Sequence, residues 1–449
     1  MNDRHNPQDP FLGLLSATNI VIANMIGAGI FTISGLLMQD LINPWAMLAL
    51  WLAGGLIAWC GALSYGALGM AMPYAGGEYL FLSRLYHPLF GFLSGWVSFL
   101  VGFSAPIAAS AIGFGEYFYR CFPQLLAVPG ISDPILVKKL TSLLLIAVFT
   151  IVHIKGLKTG ARVQNAITGL KIAFIVLLLL AGFSLGHGNW QHFQAAAPYR
   201  FDFNGWKAMG LGLMWIMFAY SGWNAATYIG GEIKNPGKNI PRSLLLGTAA
   251  VTLLYCLLNV LYIYAVAPVE MRSVISIGGL AAGRLFGPAM EHFFSLFIAI
   301  ALLSSLSAFI ILGPRVYYAM AKDGLFFKAA GRINEKSGVP VTAILLQALL
   351  AMILVLSGTF EQILTYMGFS LGIFPLLTVA GVFRVRKTDK TLRLPGYPLA
   401  PVIYLLFGSI ILILAFLQRP LESGIALVTV LAGVPFYGIF KKKNLSNNT

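Results

Sequence analysis

Apolar runs long enough to cross a lipid bilayer follow one another almost without interval along this sequence of 449 residues. Read between charges, prolines and glycines, they number twelve: 11–37, 44–72, 88–119, 137–154, 160–185, 206–233, 240–266, 286–320, 339–356, 360–383, 397–417 and 421–440. A helix needs about 20 such residues to span the hydrocarbon core. Only 10% of the residues are charged, and 58% are hydrophobic. A soluble domain carries about 25% charged residues, and a larger soluble core would not remove the need for a charged surface. The expected fold is an all-α integral membrane protein with 12 transmembrane helices, its connecting loops too short to hold a soluble domain.

Charge gives an orientation. The net charge is +15, yet the basic residues sit in short loops and form no face that could lie along a duplex, so no nucleic acid partner is expected. Eight Lys and Arg fall in the loops after odd-numbered spans, and 21 in the amino terminus, the other loops and the tail. The bias places both termini in the cytoplasm. The first ten residues, MNDRHNPQDP, are polar and resemble no cleavable signal, so the first span is expected to direct insertion. Cys60, Cys121 and Cys256 have neither metal-ligand nor redox spacing, and no cofactor or metal is expected.

Two spans are weakened at their middles. The first contains ANMIGAGIF, Ala23 to Phe31, with Gly27 and Gly29 flanking Ala28 and with Asn24 and Ile26 just before. Glycine is costly inside a helix, and unwound backbone in a membrane is tolerated only where protein or a cavity surrounds it. Close helix packing through small residues would explain GAG equally well. The sixth span supplies the second feature, FAYSGWNAATY, with Ser221, Gly222 and Asn224 among aromatics. Spans 1 and 6 are equivalent members of two five-span halves, and because five is odd the halves have opposite topology. Paired interruptions in such positions point to a substrate site at the bilayer midplane. A broken helix offers N–H groups at one half and C=O groups at the other, so two breaks can hold a zwitterion without a charged side chain. Spans 1 and 6 carry no Asp or Glu beside their breaks; Glu232 lies further along.

Four stretches then resemble one known family, the amino acid–polyamine–organocation (APC) transporters. NMIGAGIF is similar to its first-helix motif, YAGGEYLFL to the loop after span 2, FAYSGWNAATYIGGEIKNPGKNIPRSL to span 6 and its exit, and GPRVYYAMAKDGLFF to the exit of span 8. GWN leans towards the L-amino-acid-transporter branch. The resemblance implies a five-plus-five inverted-repeat core over 11–186 and 206–383, discontinuous helices 1 and 6, peripheral helices over 397–440, and cytoplasmic segments at 1–10 and 441–449. It implies a secondary transporter, not an enzyme, that moves small or medium neutral L-amino acids by exchange. The substrate carboxylate would bind the amides of Ala28, Gly29 and Ile30, within a shell that includes Gly27 and Gly222. The substrate amino group would bind carbonyls near Ile26, Phe218, Ala219 and Ser221. Phe218 matches an aromatic gate, and Asn24 a substrate contact. Tyr220 and Trp223 either join that shell or pack, and Asn224 either contacts substrate or caps the second half of the helix. Ala28 stands where relatives often have Ser, which removes a hydroxyl.

Lys171 stands out on its own terms. It lies about 15–18 Å along the fifth span, too deep for its stem to reach the interface easily. A lysine inside a membrane is a functional candidate. The resemblance implies that its ammonium replaces a cation that bridges spans 1 and 8 in other members of this fold, near Ser304 or Ser305. It would act as a proton carrier or as a fixed charge. Glu116 is expected to be an interfacial charge, and Glu232 to pair with basic residues at an inner gate. The alternatives are a proton-coupled symporter, a cationic amino acid or polyamine antiporter, or a non-transporting sensor. The compact form suits a bacterial inner membrane, and nothing in the sequence signals an oligomeric state.

Overall fold

A computed structural model describes residues 12–74, 76–127, 133–194, 202–389 and 396–445, with side chains described for all of these except 157–168 and 443–445. The segment 1–10 and the end of the tail lie outside the described residues. The first half of the chain forms α1 (Leu14–Met25), α2 (Ala28–Leu41), α3 (Pro44–Ala71), α4 (Gly77–Leu85), α5 (Pro88–Val97), α6 (Ser104–Cys121), α7 (Pro134–Ile154) and α8 (Leu157–Leu185). The second forms α9 (Phe203–Ala219), α10 (Ala225–Tyr228), α11 (Pro236–Ala265), α12 (Ile277–Phe286), α13 (Pro288–Lys322), α14 (Val341–Ser357), α15 (Phe360–Thr388), α16 (Leu399–Gln418) and α17 (Pro420–Leu445). Every expected apolar run contains helix. Among the described residues, eight helices are long and apolar enough to cross a bilayer, or nine when α1 and α2 count as one bent span.

Local chemistry sets the helix ends. Proline stands at the start of α3, α5, α7, α11 and α13, where its missing N–H costs nothing. Asn43, Asp133 and Asp202 accept from first-turn amides of α3, α7 and α9, and Thr359 with Gln362 forms a reciprocal cap on α15. Two helices were not expected. At nine and ten residues, α4 and α12 are too short to register as spans. Span 3 is also less regular than its sequence suggests, since a π-helical turn, Ser98–Gly102, joins α5 to α6.

The interior is formed by α1, α2, α3, α6, α9, α11, α13 and α15, whose buried residues are continuous with one another. By contrast α7 buries only one side: Leu140, Leu144, Val148 and Ile151 recur at helical spacing and are exposed, as a lipid-facing stripe requires. Within the interior, α2 is held firmly. The Tyr117 hydroxyl donates to the Phe31 carbonyl and accepts from the Gly278 amide of α12 at 3.0 Å. Ser34 donates to Asn259 at 2.5 Å. The Ser273 amide reaches the Gly35 carbonyl at 3.0 Å, and a Cβ at Gly35 would lie 2.0 Å from the Val274 carbonyl oxygen. The backbone before α12 therefore occupies the space a side chain would need. Gly35→Val should destabilise the protein by about 1–3 kcal/mol through overpacking. A thermal-unfolding midpoint equal to wild type would show that the loop yields instead.

Candidate functional site

The first interruption lies where the sequence places it. Met25 ends α1, Ile26 and Gly27 are extended, and α2 starts at Ala28 after a bend of 40°. The helix ladder satisfies no amide in the first turn of a helix, so Ala28, Gly29 and Ile30 present N–H groups at the positive end of α2. Carbonyls ending α1 form the negative pole, and Lys171 meets them. Its side chain is 2% exposed, its ammonium donates to the Ile26 carbonyl, and the Ala23 carbonyl lies 3.5 Å away. Lys171 therefore lies at the first break. Ser304 and Ser305 are both buried on α13. Among the described residues the Ser305 hydroxyl has no hydrogen-bond partner, and it stands 3.7 Å from where a Gly27 Cβ would be.

The second interruption separates α9 from α10. The Ser221 amide turns back onto the Phe218 carbonyl at 2.8 Å, and Gly222 adopts φ +96°, a conformation that strains any residue with a Cβ. Such a Cβ would also stand 2.8 Å from the Asn24 carbonyl carbon. A Cβ at Gly29 would lie 2.6 Å from that of Ala219. Both glycines let the two broken helices touch, so the packing explanation for GAG and the broken-helix explanation hold together. One hydroxyl bridges the breaks: Tyr255 of α11 lies 2.7 Å from the Met25 carbonyl and 3.1 Å from that of Ala219.

Several candidates have prior engagements. Ile26, Phe218 and Ala219 each already receive a donor at the carbonyl. Asn24 donates its side chain to Ile20 in its own helix at 2.8 Å. Tyr220 is fully buried, its hydroxyl spent on the Trp51 carbonyl at 3.0 Å and its ring against Trp51 and Tyr255, which is the packing alternative. Trp223 packs edge-on against Tyr65. The Asn224 side chain does not cap α10; its amide donates to Glu78 at 3.1 Å. Thus a carboxylate does approach the second break, delivered by α4 rather than by span 6. Glu116 is paired with Lys138 at 2.8 Å. The side chain of Glu232 forms no ion pair among the described residues, and its backbone carbonyl accepts from the Leu12 amide at 3.0 Å.

Sequence reasoning passed over Tyr255, Tyr65 and Glu78. No signal marks a tyrosine as special within an apolar run. Glu78 did have one, being an acid directly after two glycines in a stretch noted only for its resemblance.

Two interrupted helices in contact with each other, one of them ended by a buried ammonium, inside a multi-pass helical bundle define a membrane carrier. The chain belongs to the amino acid permease family, whose model matches residues 12–435. It is a secondary transporter of amino acids. Among its relatives, Large neutral amino acids transporter small subunit 2 of Mus musculus is 28% identical, over 95% of this chain and 80% of that one. The b(0,+)-type amino acid transporter 1 of Mus musculus is 27% identical, over 96% and 87%. The Asc-type amino acid transporter 1 of Rattus norvegicus is 26% identical, over 96% and 81%.

Tyr255→Phe should test the bridge between the breaks. Losing the hydroxyl leaves buried carbonyls short of a donor, at a cost of about 1–3 kcal/mol. The variant should keep its helical circular dichroism, unfold at lower temperature and transport more slowly. Unchanged transport would mean the bridge is incidental.

Proposed function

We propose that the chain exchanges small or medium neutral L-amino acids across the membrane. The zwitterion lies between the two breaks, its carboxylate on the amides of Ala28, Gly29 and Ile30. Its amino group binds the carbonyls near Ile26, Phe218, Ala219 and Ser221. Phe218 closes over it and excludes water through apolar area. In this reading 11–186 and 206–383 are two repeats of opposite topology, and 397–440 lies outside them. Both termini are cytoplasmic, as the Lys and Arg asymmetry favours, and the compact form suits a bacterial inner membrane.

One observation carries the reading: the Lys171 ammonium sits on the carbonyl end of α1. An ammonium there supplies the positive charge that this pole of a broken helix attracts, with no metal ion needed. It acts as a fixed cation, so amino acid on the far side completes the cycle rather than a proton gradient. A neutral substrate is supported by the words "large neutral amino acids" in one relative's name.

Proteoliposomes test this directly. Vesicles loaded with unlabelled neutral amino acid should accumulate labelled substrate, and empty vesicles under an imposed pH gradient should not. Concentrative uptake by empty vesicles would replace exchange with proton coupling. Lys171→Ala strips the donor from buried carbonyls, at about 1–3 kcal/mol for each, and should slow exchange by about tenfold or more. Wild-type rates in that variant would remove the lysine from the mechanism. Phe218→Ala should lower the rate more than it weakens binding, whereas Phe218→Trp should retain most activity.

A further inference from the structure

Helix α4 begins at a tight corner. Gly76 and Gly77 both have positive φ, +129° and +52°, and a Cβ on Gly77 would strike the Tyr228 ring at 2.5 Å. The two glycines therefore press the start of α4 against α10 and carry Glu78 to the second helix break. There the carboxylate gathers donors from three spans. Tyr65 of α3 donates at 2.7 Å and Asn224 at 3.1 Å, both to Oε1, and Ser94 of α5 bonds to the same group. Tyr65 is fully buried and also holds the Trp223 ring edge-on, with centroids 4.7 Å apart.

We propose that Glu78 is a positioning residue for the transport cycle: its ionised carboxylate ties Asn224 at the break of span 6 to spans 2 and 3, and proton binding loosens that tie. The inference rests on the transport reading above and adds a rate control to it. Any shift of the break relative to α3 and α5 must break a hydrogen bond to this carboxylate. Charge-assisted bonds of this kind are roughly twice as strong as neutral ones, so the ionised form resists the shift more than the protonated form.

The surroundings place the change of charge in a useful range. Burial pushes the Glu78 carboxyl up to about 7, against the opposing hydrogen bonds from Tyr65, Ser94 and Asn224. Its facing titratable groups are phenols: Tyr65 of α3, Tyr228 of α10 and Tyr404 of α16. Charges on neighbouring elements are engaged elsewhere. On α4 itself Tyr79 donates to Asp323, beyond α13, at 2.7 Å, and Arg84 lies over the Tyr74 ring. Arg384 of α15 bonds to the Leu85 carbonyl and covers Tyr86, and His87 accepts from the Leu89 amide. Among the described residues no cation forms an ion pair with Glu78. Above pH 7 the carboxylate is mostly ionised and the tie is closed; below it the tie is mostly released.

Counterflow in amino acid-loaded proteoliposomes, with equal pH on both sides, reads this out. The wild-type maximal rate should fall by about tenfold from about pH 6 to about pH 8, following one proton, while KM changes little. Glu78→Gln keeps the shape and cannot ionise, so its rate should be flat and close to the wild-type rate at low pH. Tyr65→Phe keeps the carboxylate and removes a donor that stabilises its charge, so the midpoint should move to higher pH. A Glu78→Gln variant that is slower throughout but keeps the wild-type pH limb would reduce Glu78 to a structural role and overturn the proposal. So would a Tyr65→Phe midpoint that does not move. A wild-type protein that exchanges amino acid without any pH limb would overturn this inference alone, and one that exchanges nothing at any pH would overturn the transport reading with it.

Discussion

The arrangement depends on a charge placed where a helix stops. A helix that ends inside a membrane leaves carbonyls with no water to satisfy them, which is why such ends are rare. Here the end of α1 is stable because Lys171 arrives from α8 and covers the Ile26 carbonyl. The lysine has the same need, since an ammonium buried at this depth must find acceptors. Each defect answers the other. Tyr255 extends the arrangement to the second break, and the glycines at 29 and 222 allow the two breaks to come within contact distance.

This mutual dependence explains why much of the site was legible from residue types. Glycines in the middle of an apolar run, and a lysine in the middle of another, are each expensive alone. Their cost shows in a single sequence without any knowledge of contacts. The apolar runs were legible for the same reason, because a bilayer imposes a length and a polarity on every crossing segment. Boundaries drifted by a few residues where helices continue beyond the apolar stretch, as α15 does through Arg384 to Thr388.

What escaped was chemistry that carries no local penalty. A tyrosine such as Tyr255 is acceptable in any span, so its bridging role appears only when α11 is packed against α1 and α9. Glu78 lies outside the spans, where an acid is unremarkable, and α4 is shorter than the length that marks a crossing. Seen from its own helix alone, Asn224 offers a cap; its hydrogen-bond partner Glu78 lies 146 positions away in sequence. Side chains that are costly reveal themselves alone, and side chains that are merely well placed do not.

The parallel bridge between Leu12 and Ile233 has a further consequence. Its two bonds, from the Leu12 amide to the Glu232 carbonyl at 3.0 Å and from the Lys234 amide to the Leu12 carbonyl at 2.9 Å, join peptide groups only. The latch between the entry to α1 and the exit of span 6 is therefore indifferent to the side chains that form it. Substitution can reshape everything around this corner and leave its grip unchanged, with proline at 12 or 234 as the exception, because it alone removes an amide hydrogen.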